Sequence, residues 1–355
     1  MACAVFDELP QSWPSPAAPR PVVFVGAGGI VENAHLPAYR CIAIPVRGVF
    51  DIDMERARAL AQKFDLPAVY ESLAAATADR DVVFDIAVPA RHVPEVLRQL
   101  PQGAAVLIQK PMGENLAEAK VIHAICKERG FQAALNFQLR YSPNMLALAA
   151  AVRHGVLGEV FDLEVRVNTY TPWHLWPFLK GIPRHEILYH SIHYLDLIRS
   201  LLGEPRSVYA KVARHPAQPE YSDTRSAIVL DYGDTRRVLL SVFHDHQYSG
   251  QHAMSELKLE GTRGAAVARM GVNLDYPNGL PDTLELAERG GTFQPVALRG
   301  SWFPAAFEGP MSNLQRFTTG DDARLLTHVD DALKTMALVE ACYKSSALGG
   351  TPIPD

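Results

Sequence analysis

Residues 22–31 read VVFVGAGGIV, an apolar run that ends in closely spaced glycines and is followed by a helical pattern. After a strand, Gly26 permits a tight turn, and Gly28 lets the backbone approach a pyrophosphate at the start of the next helix. The third position of this fingerprint is usually Gly or Ala, and here it is Val31. The stretch predicts a dinucleotide-binding turn, with contacts to the ligand from Gly26, Gly28, Gly29, Ile30 and Val31.

The same strand-then-helix pattern recurs after this turn. Apolar runs lie within IPVRGVFDID, DVVFDIAVP, AAVLIQKP and FQAALNF, with helical segments between them. Continuous apolar strands joined by helices predict a parallel sheet that is buried on both faces. We assign residues 21–143 to a doubly wound α/β domain of the Rossmann type.

The pattern changes from residue 144. Runs such as FDLEVRVNTY, SAIVLDYG and RRVLLSVFHD alternate apolar and polar residues, as strands do when only one face is buried. We predict an α+β domain over 144–327 with a large, open and mainly antiparallel sheet. A helix and tail over 328–355 are expected to pack back on the first domain. Residues 1–20 form an extension that is either disordered or held by Trp13.

Composition narrows the class of function. The 355 residues carry a formal net charge of -5, and no basic run suits nucleic acid or lipid headgroups, so a small-molecule ligand is favoured. Four widely spaced cysteines indicate reduced thiols in a cytosol. No apolar run is long enough to span a bilayer, and the first residues lack the pattern of a secretory signal. We therefore expect a cytoplasmic protein.

A carboxylate after the second strand bears on the choice of dinucleotide. Asp51 lies where an acidic residue accepts hydrogen bonds from the adenosine ribose, and its charge repels a 2′-phosphate. Asp51 could instead cap the helix that follows, although Asp53 fits that cap better. The sequence predicts NAD as the cofactor, in preference to NADP.

Several motifs, taken in chain order, resemble the glucose-fructose oxidoreductase / inositol 2-dehydrogenase / rhizopine-type (Gfo/Idh/MocA) family. The resemblance runs from residue 21 to the C-terminus. Besides the glycine turn and Asp51, it is carried by His35-Leu36-Pro37, Ala87-Val88-Pro89, Gln109-Lys110-Pro111, residues 136–143, and His193 with Asp196.

This resemblance implies an NAD-dependent dehydrogenase that oxidises a hydroxyl of a sugar, polyol or related small molecule. It also implies that Lys110 stands between the nicotinamide ribose and the substrate and handles the hydroxyl proton together with His193. A desolvated ammonium near a charged nicotinamide ring should have a lowered pKa, which suits proton transfer near neutrality. Further cofactor contacts are implied for Ala87, Val88, Pro89, His92, Gln109 and Gln138, and substrate contacts for Lys110 and Arg140.

The later helix departs from the family pattern. Relatives carry Asp-x-Gly-x-His there, whereas this chain reads Tyr189-His190-Ser191-Ile192-His193. His193 matches the family histidine, and Tyr189 replaces the aspartate. Either Tyr189 joins the proton relay as a third catalytic residue, or His190 or Glu186 supplies the missing group.

Helical spacing places Glu186, His190 and His193 on one face. Such a face could bind the substrate through hydrogen bonds, or it could ligate a metal together with His244 or His246 and so serve a lyase or isomerase. The resembling family generally works without a metal, so we predict an acid/base network and no metal.

An aromatic loop precedes this helix. Trp173 and Trp176 suit the apolar face of a sugar-like substrate, although a domain or subunit contact would also explain them. The open sheet needs its outer face covered, which predicts a homodimer or homotetramer. A regulatory protein that binds NAD without catalysis is the remaining alternative, and the retained Lys110 and His193 argue against it.

Overall fold

The computed structural model describes residues 9–276 and 278–354. The chain divides into two compact units. One contains Ser12–Ser142 and Phe303–Met336, and the other contains Pro143–Trp302 and the chain from Ala337 onwards. They are called the Rossmann unit and the sheet unit below.

The Rossmann unit is built on a parallel five-stranded sheet with the spatial order β2-β1-β3-β4-β5, which confirms the predicted fold class. Its strands are β1 (Val22–Val25), β2 (Val46–Phe50), β3 (Val83–Ile86), β4 (Ala105–Ile108) and β5 (Gln132–Leu135). Its helices are α1 (Leu36–Cys41, preceded by a π-helical turn at Val31–His35), α2 (Met54–Phe64), α3 (Leu73–Ala76), α4 (Val93–Gln99) and α5 (Leu116–Glu128).

Strands β1, β3 and β4 are buried along their whole length, as expected for a sheet with helices on both faces. The strand order reverses between β1 and β3. In an open parallel sheet, ligands bind outside the carboxyl ends of the strands at such a reversal. The glycine turn leaves β1 at this end.

The sheet unit contains an eight-stranded sheet with the order β13-β12-β11-β10-β6-β9-β8-β7. Its first elements are α6 (Pro143–Arg153), β6 (Val160–Asn168) and α7 (Ile192–Leu202), the last preceded by a π-helical turn at Ile187–Ser191. The other strands are β7 (Ser207–Ala213), β8 (Arg225–Asp231), β9 (Arg237–Phe243), β10 (Met254–Gly261), β11 (Gly264–Arg269), β12 (Thr283–Glu288) and β13 (Gln294–Pro295).

Neighbouring strands of this sheet are antiparallel, apart from the parallel pair β6 and β9. Strand β8 shows the alternation that predicted an open sheet, since Ile228 and Leu230 are buried while Ala227 and Val229 are exposed. The large, mainly antiparallel sheet is therefore confirmed. Helix α7 ends at Gly203, whose φ of 82° is a conformation that glycine adopts readily.

The last two helices are assigned to the units differently from our expectation. Helix α8 (Glu308–Thr319) lay in the predicted 144–327 domain, but it belongs to the Rossmann unit, where it packs on β4 and β5. Its buried Met311 and Leu314 join the core of that unit. The apolar face of α8 therefore completes the cover of the parallel sheet.

Helix α9 (Val329–Leu348) was expected, with the rest of 328–355, to pack on the first domain, but its second half belongs to the sheet unit. There the hydroxyls of Ser345 and Ser346 accept hydrogen bonds from the backbone N–H groups of Ala210 (2.9 Å) and Val212 (3.1 Å). Because β7 is an edge strand, these N–H groups have no strand partner on that side. Two serines at the end of α9 satisfy them.

Of the predicted N-terminal extension, residues 1–8 lie outside the described part of the chain. Trp13 is held in the Rossmann unit, where its Nε1 donates to Asp322 Oδ2 at 2.7 Å and its ring contacts Tyr141 edge-on at 5.4 Å. This is the second of the two arrangements left open by the sequence. Within the described ranges, no helix is both long enough and apolar enough to cross a membrane.

Candidate active site

The glycine turn has the geometry of a dinucleotide site. Gly26 has φ of 110°, and a Cβ at this position would lie 2.4 Å from the carbonyl oxygen of Ala87, so only glycine fits. A Cβ on Gly28 would meet nothing within 4 Å, which leaves its backbone open to a ligand. Val31, the unusual third residue of the motif, is fully buried in the core of the unit, so the larger side chain is accommodated by packing.

Asp51 follows β2 and is directed at this turn. Its Oδ2 accepts a hydrogen bond from Ala27 N at 2.7 Å, and its Oδ1 accepts one from Asp53 N at 2.8 Å. Each carboxylate oxygen has a second lone pair that could accept from a ribose hydroxyl. The cap of α2 is made by Asp53, which accepts from Arg56 N at 3.1 Å. The turn and Asp51 therefore fit an NAD molecule.

The ends of β3 and β4 bring the other predicted cofactor residues to the same edge of the sheet. Ala87, Val88 and Pro89 follow β3, and Gln109 and Lys110 follow β4. Burial lowers the pKa of the Lys110 ammonium from 10.5 to about 8. This is the direction that we expected for a lysine that handles a proton near neutrality.

A buried polar chain lies behind Gln109. Its Oε1 accepts from Asn136 Nδ2 at 2.9 Å, and the same amide nitrogen lies 3.1 Å from His35 Nε2. On its other side, His35 Nδ1 lies 2.8 Å from Asp85 Oδ2, which also accepts from Tyr39 Oη at 2.5 Å. Asp85 was not among the predicted site residues, although a charged residue within the apolar run DVVFDIAVP was a signal.

The remaining predictions in the Rossmann unit have less direct support. Gln138 is buried, whereas His92 is exposed and its Nε2 accepts from Arg91 Nε at 3.1 Å. Arg140 was predicted to bind substrate, and its guanidinium forms an ion pair with Asp331 at 2.6 Å. These three roles stay predictions.

In the sheet unit, Glu186 and His190 come together with His244. Glu186 Oε1 lies 3.4 Å from His244 Nε2 and 3.8 Å from His190 Nδ1, and the two imidazole rings are 4.2 Å apart at 83°. Burial raises the pKa of Glu186, against smaller contributions from His190 and from nearby serine hydroxyls. Burial also lowers the pKa of His244 to about 3, so that its imidazole is neutral.

His190 comes together with Glu186, whereas His193 is not among the described residues whose ligand atoms converge there, and its place on the same face stays a prediction. The π-helical turn at Ile187–Ser191 inserts an extra residue into the helix, and this shifts the residues after it around the axis. His193 is nearly buried, and its ring contacts Trp302 edge-on at 5.8 Å. His246, the alternative partner, directs its Nε2 to the carbonyl of Gln251 at 2.9 Å.

The aromatic residues predicted to meet a sugar are partly core residues. Trp173 is 7% exposed and packs between His185 (4.3 Å) and His244 (4.9 Å). Trp176 is half-buried and contacts Tyr276 at 5.1 Å. Tyr189 packs on the small core around Trp173 and contacts Phe178 at 5.9 Å.

Two residues near this cluster were not found from the sequence. His185 is fully buried beside Trp173, and burial lowers its pKa to about 3. Asp223 accepts hydrogen bonds from the backbone N–H groups of His185 (2.9 Å) and Glu186 (3.2 Å), which fixes the start of the π-helical turn that precedes α7. Asp223 lies far along the chain from the helix start that it caps, so spacing in the sequence does not reveal this role.

Known proteins share this organisation. The family described as "Oxidoreductase family, NAD-binding Rossmann fold" matches residues 20–137, and the "GFO/IDH/MocA C-terminal domain" matches residues 145–267. D-apiose dehydrogenase from Paraburkholderia graminis is 27% identical over 343 residues, which cover 92% of this chain and 88% of that protein.

Two solved structures have the same fold. One is an oxidoreductase from Agrobacterium radiobacter in complex with NAD+, L-tartaric acid and magnesium, with a TM-score of 0.77 and 22% identity, over 93% of this chain and 97% of that one. The other is aldose-aldose oxidoreductase from Caulobacter crescentus complexed with glycerol, with a TM-score of 0.77 and 17% identity, over 94% and 99% of the chains. The matched domains span most of the sequence and the glycine turn has the required geometry, so this chain belongs to the GFO/IDH/MocA oxidoreductases and its first domain is an NAD-binding Rossmann fold.

Proposed function

We propose that this chain oxidises a hydroxyl group of a sugar, polyol or related small molecule with NAD as the cofactor. The observation that carries the proposal is the position of Lys110, which follows β4 at the ligand-binding edge of the sheet and has a pKa of about 8. A surface lysine would keep a pKa near 10.4 and would be a poor proton acceptor at neutral pH. The apiose dehydrogenase relative supports a sugar-like substrate.

The residues of this chain have separate tasks in the proposed reaction. Gly26 and Gly28 shape the turn that holds the pyrophosphate, and Asp51 accepts hydrogen bonds from the ribose and disfavours a 2′-phosphate. When bound, NAD supplies the hydride acceptor. Lys110, as a neutral amine, accepts the proton of the substrate hydroxyl.

His193 and Tyr189 are the further candidates for proton transfer in the sheet unit. His193 is held by its contact with Trp302, whose backbone N–H donates to Asp282 Oδ2 at 2.6 Å. A histidine in a fixed orientation can pass a proton between the substrate and water near neutral pH. Glu186, His190, Trp173 and Trp176 are proposed to shape the substrate side.

The test is a panel of aldoses, polyols and sugar acids, with NADH formation followed by absorbance. On the best substrate, Lys110→Met should lower kcat by about 10²- to 10⁴-fold, the usual contribution of a general base, while NAD binding changes little. The exposed Lys120→Met is the matched control and should keep full turnover. Undiminished kcat in Lys110→Met would contradict the assignment, and NAD binding without turnover on any substrate would favour a regulatory protein.

We also propose a homodimer or homotetramer that forms through the outer face of the large sheet, in a cytosolic location. Tyr209 of β7 and Val229 of β8 are direct cross-strand partners, and they are 67% and 45% exposed. Val229 also pairs with Leu239 of β9, so an apolar stripe crosses three strands. Tyr209→Glu should shift the mass in sedimentation towards the 39.0 kDa of one chain. A wild-type protein that is already monomeric would rule the assembly out.

A further inference from the structure

Three potential ligand atoms converge inside the sheet unit. They belong to Glu186, His190 and His244, and all lie within 4.8 Å of one another. Glu186 Oε1 is 3.4 Å from His244 Nε2 and 3.8 Å from His190 Nδ1. Ligands about 2.0–2.1 Å from a tetrahedral zinc ion are roughly 3.3 Å from each other. The two distances from Glu186, 3.4 Å and 3.8 Å, are close to that spacing.

His244 presents the correct nitrogen to the cluster. Its Nδ1 lies 2.7 Å from Thr171 Oγ1, and its backbone carbonyl accepts from Thr171 N at 2.9 Å. When a histidine binds a metal, its second ring nitrogen usually bonds to an oxygen that fixes the ring. Thr171 has this position, and it leaves Nε2 of the buried ring pointing at Glu186.

Glu186 provides a second, independent observation. Its side chain is fully buried, and Oε1 accepts a hydrogen bond from Ser191 Oγ at 2.6 Å. Within the described residues, Oε2 makes no hydrogen bond of ordinary geometry. The Ser226 hydroxyl is a further polar group beside this carboxylate. Burying a carboxylate is costly even with these hydroxyls, and a cation held by Oε1 would offset that cost.

The donor set and its surroundings indicate which cation would bind. Imidazole nitrogens suit Zn²⁺ and other transition metals, whereas Mg²⁺ and Ca²⁺ prefer oxygen ligands. The side chain of His190 is 16% exposed while those of Glu186 and His244 are at 0%, so the cluster is reached from the His190 side. Two histidines and one glutamate leave a position open in a four-coordinate site.

In place of the metal-free acid/base network expected from the sequence, we propose that Glu186, His190 and His244 bind a divalent transition metal, with Zn²⁺ as the best fit and one coordination position open to water or a substrate oxygen. This site lies within the sheet unit and goes beyond the proposed dehydrogenase activity. Thr171 and Ser191 are positioning residues of this site, because Thr171 orients His244 and Ser191 orients Glu186.

The first test is metal analysis of the full-length protein, purified without a histidine-rich tag. We expect about one equivalent of transition metal per chain, removal by a strong chelator, and recovery on titration with Zn²⁺. Co²⁺ added to the metal-free protein should give the visible absorption bands of a four-coordinate ion. Failure of the chelator-treated protein to take up either Zn²⁺ or Co²⁺ would overturn the proposal.

Variants locate the site. Glu186→Gln keeps the shape of the side chain and should lower Zn²⁺ affinity by at least about 100-fold, and the more exposed His190→Gln provides a second variant if the first does not fold. The control is His246→Gln, because His246 is near in sequence but bonds to the Gln251 carbonyl, and it should bind Zn²⁺ normally. Equal affinity in wild type, Glu186→Gln and His190→Gln would refute the assignment.

The metal and the dehydrogenase proposals can fail separately. NADH formation is measured on the same chelated and reloaded samples, and Zn²⁺ content is measured on Lys110→Met. A metal-free but active wild type would contradict only the metal site. A Lys110→Met protein that binds Zn²⁺ but is inactive is the result expected if both hold.

Discussion

The glycine turn at Gly26 and Gly28 and the cluster of Glu186, His190 and His244, called the histidine cluster below, are built in opposite ways. The turn is local, because Gly26, Gly28 and Asp51 lie within one βαβ segment and act through backbone geometry and a single carboxylate. The cluster is non-local, because Thr171, Glu186 and His244 come from three separate segments of the sheet unit. A local site can be found by spacing, whereas a non-local site depends on which strands and helices the fold brings together.

The two regions also differ in what they expose to a ligand. Around Gly28 the space is open, so the turn is completed by a ligand that comes to the backbone. Around Glu186 the side chains are buried, so a ligand there has to be small. The same chain therefore has one site suited to a large cofactor and one buried cluster at which we propose a single metal ion.

The largest expected effect tests the local half of this comparison. Gly26→Ala places a methyl group against the Ala87 carbonyl in a left-handed backbone conformation, and it should cost about 3 kcal/mol or more in the free energy of unfolding. Gly28→Ala has room for its methyl group and should cost less than about 1 kcal/mol, yet weaken NAD binding about tenfold. Urea unfolding and NAD titration separate the two. Equal loss of stability in both variants would contradict the geometry.

The second effect concerns the carboxylate of the turn. Asp51→Asn keeps a hydrogen-bond acceptor for Ala27 N but removes the charge that opposes a 2′-phosphate. The ratio of kcat/KM with NAD to that with NADP should fall by about 10- to 100-fold, as expected for the loss of about 1.5–3 kcal/mol of charged hydrogen bonding. Asp53→Asn is the control, because it caps α2 and should leave this ratio unchanged. An unchanged ratio in Asp51→Asn would remove Asp51 from cofactor selection.

The third effect is a pH dependence that belongs to the Rossmann unit. The Lys110 ammonium loses its proton as the pH rises through about 8, and the neutral amine is the proton acceptor. Oxidation measured as kcat/KM should therefore rise about tenfold per pH unit below this value and level off above it. The Lys110→Arg variant stays positively charged over this pH range, so its kcat/KM should not rise with pH in this way. A wild-type profile that is flat between pH 6 and pH 9 would be inconsistent with this role.

The smallest expected effect concerns the non-local cluster of Glu186, His190 and His244. Thr171→Val removes the hydroxyl beside His244 Nδ1 with little change in shape, and it should cost about 1 kcal/mol in the free energy of unfolding, measured with urea. Thr262→Val, at the exposed turn where its hydroxyl accepts from Glu159 N, is a matched control outside the cluster. If only Thr171→Val also weakened Zn²⁺ binding, the coupling of this hydroxyl to the cluster would be established. Equal Zn²⁺ binding in the two variants would argue against it.

Much of the fold could be predicted from the sequence because the signals are short-range. Continuous apolar strands indicated the parallel sheet, and the alternation in β8 indicated the open one. Asp53 was identified as the better cap, and it is the cap. The family resemblance also followed from ordered motifs, and the matched domains confirm it.

The candidate site was only partly predictable, for reasons that can be named. Helical spacing put His193 with Glu186, but a π-helical turn, for which no residue pattern gave warning, rotates the later residues. His244 is the third member of the cluster with Glu186 and His190, because it follows β9 and β9 ends beside the helix that carries them. This neighbourhood depends on the order of strands in the sheet. His185 and Asp223 were missed because their importance comes from burial.

The placement of α8 affects how the chain folds during its synthesis. Strands β4 and β5 are synthesised before residue 136, whereas the helix that packs on them ends at Thr319. At ordinary translation rates of about 5–20 residues per second, these apolar strands remain exposed for on the order of ten seconds or more before α8 has been synthesised. A fragment that stops at residue 143 would keep that surface exposed permanently. We therefore expect chaperone binding to the nascent chain, and aggregation of the isolated fragment.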